Sequence, residues 1–227
     1  MTSARKHFKR FKTLALIGVF QLVSVATTIT VTGVDTAHGE NLRLRADGLD
    51  ENVWAGAILI NLNAYMPKTV FCVDLFSSIG LETLNVNALD VSTINNGARA
   101  AWLFNNYWPQ VNTQADGAAL QLAIWDVVHD NGDGFSAGRV QQALNAATFE
   151  AIFAQARTFE LMSAGQSSTN ATIYTDVKGA TVHQRLMGAP LTPGPLSVGA
   201  VPEPATYMMM GSGLLAGLIW MRRKAKI

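Results

Sequence analysis

Pro202 and Pro204, on either side of Glu203, cut this chain in two. Proline lacks a backbone N–H and fixes φ, so neither a helix nor a strand runs through Val201–Pro204. Beyond the break an apolar run extends from Tyr207 to Met221, and Arg222, Arg223, Lys224 and Lys226 follow it. The run is short against the roughly 20 residues that span a hydrocarbon core, but it reads as a transmembrane helix. The basic cluster after it is expected to stay cytoplasmic. Whatever folds must therefore lie upstream.

The N-terminus agrees with that polarity. Arg5, Lys6, Lys9, Arg10 and Lys12 precede an apolar stretch from Leu14 to Val25, and Ser24-Val25-Ala26 offers a small-x-small cleavage site. Residues 1–26 read as a secretory signal peptide, with a later cut near Ala37–Gly39 as the alternative. At the other end, Pro-Glu-Pro, a Gly-rich apolar helix and an Arg-rich terminus over residues 202–227 resemble the PEP-CTERM sorting signal. That signal is the substrate of exosortases in Gram-negative bacteria that make extracellular polysaccharide. The resemblance implies an exported protein, anchored in the inner membrane during sorting and then placed at the cell surface or in the extracellular matrix.

Removing the two ends reverses the charge balance. Nine of the 17 Lys and Arg lie in them, which leaves eight in Glu40–Val201 against 14 of the 16 Asp and Glu, a net of 8 − 14 = −6. An acidic domain without a basic stripe excludes nucleic acid as a partner. Residues 40–189 make one domain, long enough for a hydrophobic core. Residues 190–201 read as a Pro/Gly-rich linker.

Cys72 is the single cysteine, so an internal disulfide is excluded. It reads as a small buried hydrophobe, a reactive thiol, or a partner in another covalent bond. Val70–Phe76 is β-prone, and on a strand Cys72 and Asp74 share a face. Val53–Leu62 reads as a second strand, and a turn over Asn63–Lys68 makes the two a hairpin. Helices are expected over Ala98–Tyr107, over Asp116–His129 with Asp116 as N-cap, and over Ala137–Met162. Thr172–Arg185 returns to strand composition. Strands, helices, then strands argue for α+β.

The helix at 116–129 is apolar almost all round, with only Gln121 and Asp126 polar in its centre. Gln121 shares a face with Ala118, Ile124, Trp125 and Val128. Burying its carboxamide without hydrogen bonds costs roughly 2–7 kcal/mol, so something must satisfy or consume it. Phe71-Cys72-Val73-Asp74, followed by Leu120-Gln121-Leu122-Ala123-Ile124-Trp125, resembles the Cys-Gln thioester domains of bacterial surface proteins. In that family an aromatic-Cys-x-acid strand lies against a helix with Thr-Gln-x-Ala-aliphatic-Trp. The cysteine sulfur joins the glutamine carbonyl and ammonia is released.

The resemblance covers roughly Val53 to Phe135. It implies a β-sandwich or barrel with a helical insertion and a Cys72–Gln121 thioester supported by Asp74, Trp125 and His129. It also implies single-turnover covalent attachment to amines, such as protein Lys, and so a role in adhesion or biofilm matrix without a cofactor. The sequence departs from the family at Leu120, where Thr is usual. Thr113-Gln114-Ala115 has no aliphatic-Trp pair after it and is read as coincidence. The runner-up is a non-covalent structural matrix protein with Cys72 and Gln121 as core residues.

Other constellations carry less. A hydrolase dyad of Cys72 with His129 or His183 lacks a cysteine-protease signature around the cysteine. His129 reads first as a cap at the helix C-terminus. His129–Gly134 hints at a Ca²⁺ loop, but with His129 in the first ligand position the twelfth is Val140 rather than Glu, so it reads as a turn. Trp102, Tyr107, Trp108 and Trp125 read as core aromatics rather than a sugar platform. No metal-ligating set is assigned.

Overall fold

The computed structural model describes residues 27–143, 147–179 and 183–190. The expected signal peptide, most of the expected linker and the whole sorting signal, including the apolar run Tyr207–Met221, lie outside them. Among the described residues no helix is long and apolar enough to cross a membrane.

Seven strands form one antiparallel sheet: β1 (Thr27–Ala46), β2 (Leu49–Leu62), β3 (Met66–Cys72), β4 (Thr83–Leu89), β5 (Val140–Gln142), β6 (Thr172–Asp176) and β7 (Leu186–Gly188). Their order is β2-β3-β7-β6-β4-β1-β5, and β1 also pairs with β2. The ladder therefore closes into a ring of six strands, with β5 added to the far end of β1. Closure leaves these six strands few free edges. Period-two alternation fills the interior: Leu42, Leu44 and Ala46 of β1, Ile58, Ile60 and Leu62 of β2, and Leu84 and Val86 of β4 are buried.

Three helices, α1 (Gly97–Tyr107), α2 (Gln114–Asp130) and α3 (Glu150–Ser163), complete a sheet-rich α+β fold. α2 is the central element, packed on β1 and β2 on one side and on α1 and α3 on the other. Every residue from Gly117 to Val128 is buried, as its all-round apolar sequence requires. Gly117 makes the approach possible, because a Cβ there would overlap the His38 carbonyl of β1.

Several expectations need correction. Thr113, not Asp116, caps α2: its hydroxyl accepts from Asp116 N, and Asp116 Oδ2 accepts from Thr113 N in return. Asp116 is thus the N3 partner of a capping box. The strand expected over 70–76 starts earlier and ends at Cys72, and Pro67 lies inside it opposite Asn61. The helix expected over 137–162 is instead β5 followed by α3. Gly138 adopts φ +83, and Asp130 Oδ2 accepts from both Arg139 N and Val140 N, which turns this segment onto β1. The β2–β3 hairpin holds, with a tighter turn at Asn63–Tyr65.

Candidate functional site

The register of the hairpin explains how Cys72 comes to face a helix. β2 pairs with β3 only as far as Ile58↔Val70. Beyond that point β2 pairs with β1 through Gly56↔Gly39, where the two backbones approach too closely for a side chain at either position. On the other side β3 pairs with β7, and Val73 N donates to Arg185 O. Backbone groups alternate sides along an antiparallel strand, so the N–H and C=O of Cys72 point away from β7, toward the place that β2 has left.

Gln121 fills that place. Cys72 N donates to Gln121 Oε1 at 3.0 Å, and Gln121 Nε2 donates to Cys72 O at 2.7 Å. The side-chain amide acts as a surrogate peptide group for the missing strand. Gln121 is 0% exposed and Cys72 is 2% exposed. The question posed by the buried carboxamide has a structural answer: both of its polar atoms are satisfied, and by the backbone of the one cysteine.

The thiol is held just as locally. Cys72 Sγ donates to Asp74 O at 3.2 Å and accepts from Asp74 N at 3.4 Å. Burial pushes the thiol pKa well above its usual range, so Cys72 is protonated at neutral pH. The Trp125 indole N–H opposes that shift without reaching hydrogen-bond geometry to any acceptor among the described residues. Asp74 fixes the loop after β3 rather than the strand itself. Its Oδ1 accepts from Phe76 N, its Oδ2 accepts from Ser77 Oγ, and its carbonyl accepts from Gln184 Nε2. Arg185 Nε lies 3.8 Å from Asp74 Oδ2, a long ion pair.

His129, in the last turn of α2, reaches the same loop. Its Nε2 accepts from Leu75 N at 3.3 Å, and its ring meets Phe76 edge-on at 4.8 Å. Burial lowers its pKa, with Asp74 opposing, so the ring is neutral. No hydrogen bond joins it to Cys72 or Gln121 among the described residues. A charged helix cap is not its part here; it braces the loop. His183 lies with Asp176 and Glu82, away from the thiol's hydrogen bonds.

A cavity of about 300 Å³ borders the thiol, with Val53, Trp54, Ile58, Leu75, Trp125 and Gln184 among its walls. Phe71, fully buried, packs edge-on against Trp108 and Phe104 behind the strand. Leu120 is fully buried. Thr113 and Gln114 lie at the start of α2, where Gln114 Nε2 donates to Thr36 O. Of the four aromatics expected in the core only Trp125 is fully buried; Trp102, Tyr107 and Trp108 are half-buried against it, and Tyr107 stacks on Phe159 at 4.0 Å.

Sequence reasoning passed over Gln184, whose role needs the β6–β7 return to bring it beside Asp74, 110 residues away. It also passed over Glu160, a buried carboxyl on α3 facing Asp126. Asp126 stood out as the second polar residue of α2, but its partner did not.

Neither the curated proteins nor the solved structures include a match to this chain. A family model described as the PEP-CTERM protein-sorting motif matches residues 200–224. The chain thus carries a PEP-CTERM sorting motif at its C-terminus, which implies exosortase processing, export, and membrane-associated sorting to the surface.

Proposed function

We propose that this exported protein carries an internal thioester between Cys72 and Gln121 and uses it once, to attach covalently to a primary amine outside the cell. The observation that carries the reading is the reciprocal pair of hydrogen bonds that holds the Gln121 carboxamide on Cys72 itself. Orientation of this kind replaces a bimolecular encounter and is the main requirement for joining a thiol to a poor electrophile. In the forming step the Cys72 S–H adds to the Gln121 amide carbon, the C–N bond breaks, and the nitrogen leaves as ammonia with the thiol proton. In the attachment step an amine forms an amide with the same carbon, the C–S bond breaks, and the sulfur leaves as the Cys72 thiol. The burial of Cys72 and Gln121 shields the stored bond from bulk water, and the cavity lined by Cys72 is the entrance for the amine. Asp74 and His129 position the loop that frames it; Trp125 shields the sulfur.

Methylamine tests this. The wild-type protein should take up one methylamine at Gln121, and Cys72 should become alkylatable in the same step. Gln121→Ala should show an alkylatable Cys72 from the start, after unfolding, and no adduct.

A second reading has its own support. The same two hydrogen bonds complete the ladder at Cys72, so the pair also serves as a non-covalent clamp in a structural matrix protein. A Cys72 thiol that is present throughout, with no amine uptake, selects that reading.

A further inference from the structure

The end of α2 and the loop after it gather acids that neither reading uses. Asp126, Asp130 and Asp133 place one carboxylate oxygen each within 4.8 Å of the others. Two oxygens on opposite sides of a Ca²⁺ ion stand about that far apart, since each lies roughly 2.4 Å from the metal. Asp126 is 0% exposed, and its Oδ1 has no hydrogen-bond partner among the described residues. Glu160 of α3 is 3% exposed, faces Asp126, and leaves Oε1 without a partner too. Two buried carboxyl groups that face one another need either a proton or a cation between them.

The nearby arginines attract these acids from a distance, Arg99 both carboxyls and Arg157 that of Glu160, but neither forms an ion pair with them. Arg99 reaches inward, but it donates to neutral oxygens: Ser163 Oγ, Asn131 O and Glu160 O. Arg139 is paired with Asp47, and Arg157 with Glu150. None of the salt bridges among the described residues includes Asp126, Asp130, Asp133 or Glu160. The carboxylates are already held in place from outside. Gly134 N donates to Asp126 Oδ2, and Asp130 Oδ2 takes the two N–H groups of Arg139 and Val140.

The geometry points to a Ca²⁺ site formed by Asp126, Asp130 and Asp133, with Glu160 behind Asp126 as the acid the ion relieves. An all-oxygen set of hard anionic ligands suits Ca²⁺ over softer metals. A short, partly exposed loop fits the weak affinity of extracellular sites, near 10⁻⁴–10⁻³ M. The EF-hand count fails because it begins at His129; this set begins one turn earlier, inside the helix. The site lies at the end of α2, beyond Gln121, so Ca²⁺ ties the helix that carries the glutamine to the turn before β5.

The test is thermal unfolding of the mature exported protein in CaCl₂, against NaCl of equal ionic strength. At ten times the dissociation constant the wild-type Tm should rise by about 4 °C. Asp133 is exposed and its charge repels Asp126, so Asp133→Asn should have a metal-free Tm no lower than wild type and lose most of the rise. The proposal is overturned if Ca²⁺ brings no rise beyond NaCl, or an equal rise in Asp133→Asn; the acids then hold a proton alone. Neither result bears on the thioester, which the methylamine assay reads separately.

Discussion

Cys72→Ala separates the covalent reading from the clamp more cleanly than any change at Gln121. The substitution removes Sγ but keeps the backbone N–H and C=O to which the carboxamide is bound. Under the clamp reading both carboxamide hydrogen bonds survive, and the loss is that of one small buried group with its weak sulfur hydrogen bonds to the Asp74 backbone, about 1 kcal/mol. Under the covalent reading a cross-link across a sequence separation of 49 residues also disappears. Treated as a disulfide of that span, the link constrains the unfolded chain by about 4 kcal/mol, so the total is about 5 kcal/mol. Urea unfolding of the exported protein measures it. The midpoint should fall and the slope m should rise, because the uncross-linked chain exposes more surface. Gln121→Ala gives no such separation, since it also orphans two buried backbone groups at about 1–3 kcal/mol each. A loss near 1 kcal/mol for Cys72→Ala, with m unchanged, would refute the cross-link.

Three further outcomes follow from the structure. Burial, with the nearby Asp133 and Asp130 charges, pushes Asp126 up to about 7, and burial with Asp126 pushes Glu160 up to about 9. Raised folded pKa values favour the protonated fold: their contribution is complete below the unfolded carboxyl range of about 4, and is lost as pH climbs through about 7 and then about 9. In chelator, stability should therefore fall across that window, and the fall should flatten in Glu160→Gln; a wild-type profile without this fall contradicts it. Signal cleavage should leave Thr27 in the mature chain, because Ile29 and Val31 are core residues and Thr27–Thr30 pair with β4; N-terminal sequencing that began after Gly39 would contradict this. His129→Ala should destabilise the protein by about 1 kcal/mol by removing the acceptor for Leu75 N, and should leave methylamine uptake within a few-fold of wild type. A much larger loss of uptake at unchanged stability would instead make His129 a proton carrier.

The parts of this fold that were legible in the sequence are those whose pattern is long or chemically odd. α1 and α2 read from the apolar stretches Ala98–Tyr107 and Asp116–His129, and the β2–β3 hairpin from two β-prone runs around a turn. Cys72 and Gln121 stood out as oddities for an exported domain and an apolar helix, and the structure brings them together. The illegible parts depend on distant contacts. β5 has three residues, too few to show a period, and it exists because Asp130 holds the turn before it. The first half of β1 lay in a stretch that the leader's boundary left open, and only pairing with β2 and β4 marks it as a strand. Asp74 was expected on a strand with Cys72, but its local hydrogen bonds to Phe76 N and Ser77 Oγ favour a turn over the ladder. Glu160 looks like an ordinary surface residue of a helix until α3 is laid against α2.

The central claim is that Cys72 and Gln121 are joined, and intact mass of the mature exported protein tests it most directly. Mass spectrometry under denaturing but non-nucleophilic conditions should find the chain lighter than its sequence by one ammonia, with the deficit confined to peptides that contain Cys72 and Gln121. Cys72→Ala and Gln121→Ala should each restore the full sequence mass. A wild-type chain at the full mass of its sequence, with Cys72 alkylatable after unfolding, would contradict the covalent account and leave the carboxamide as a clamp on β3.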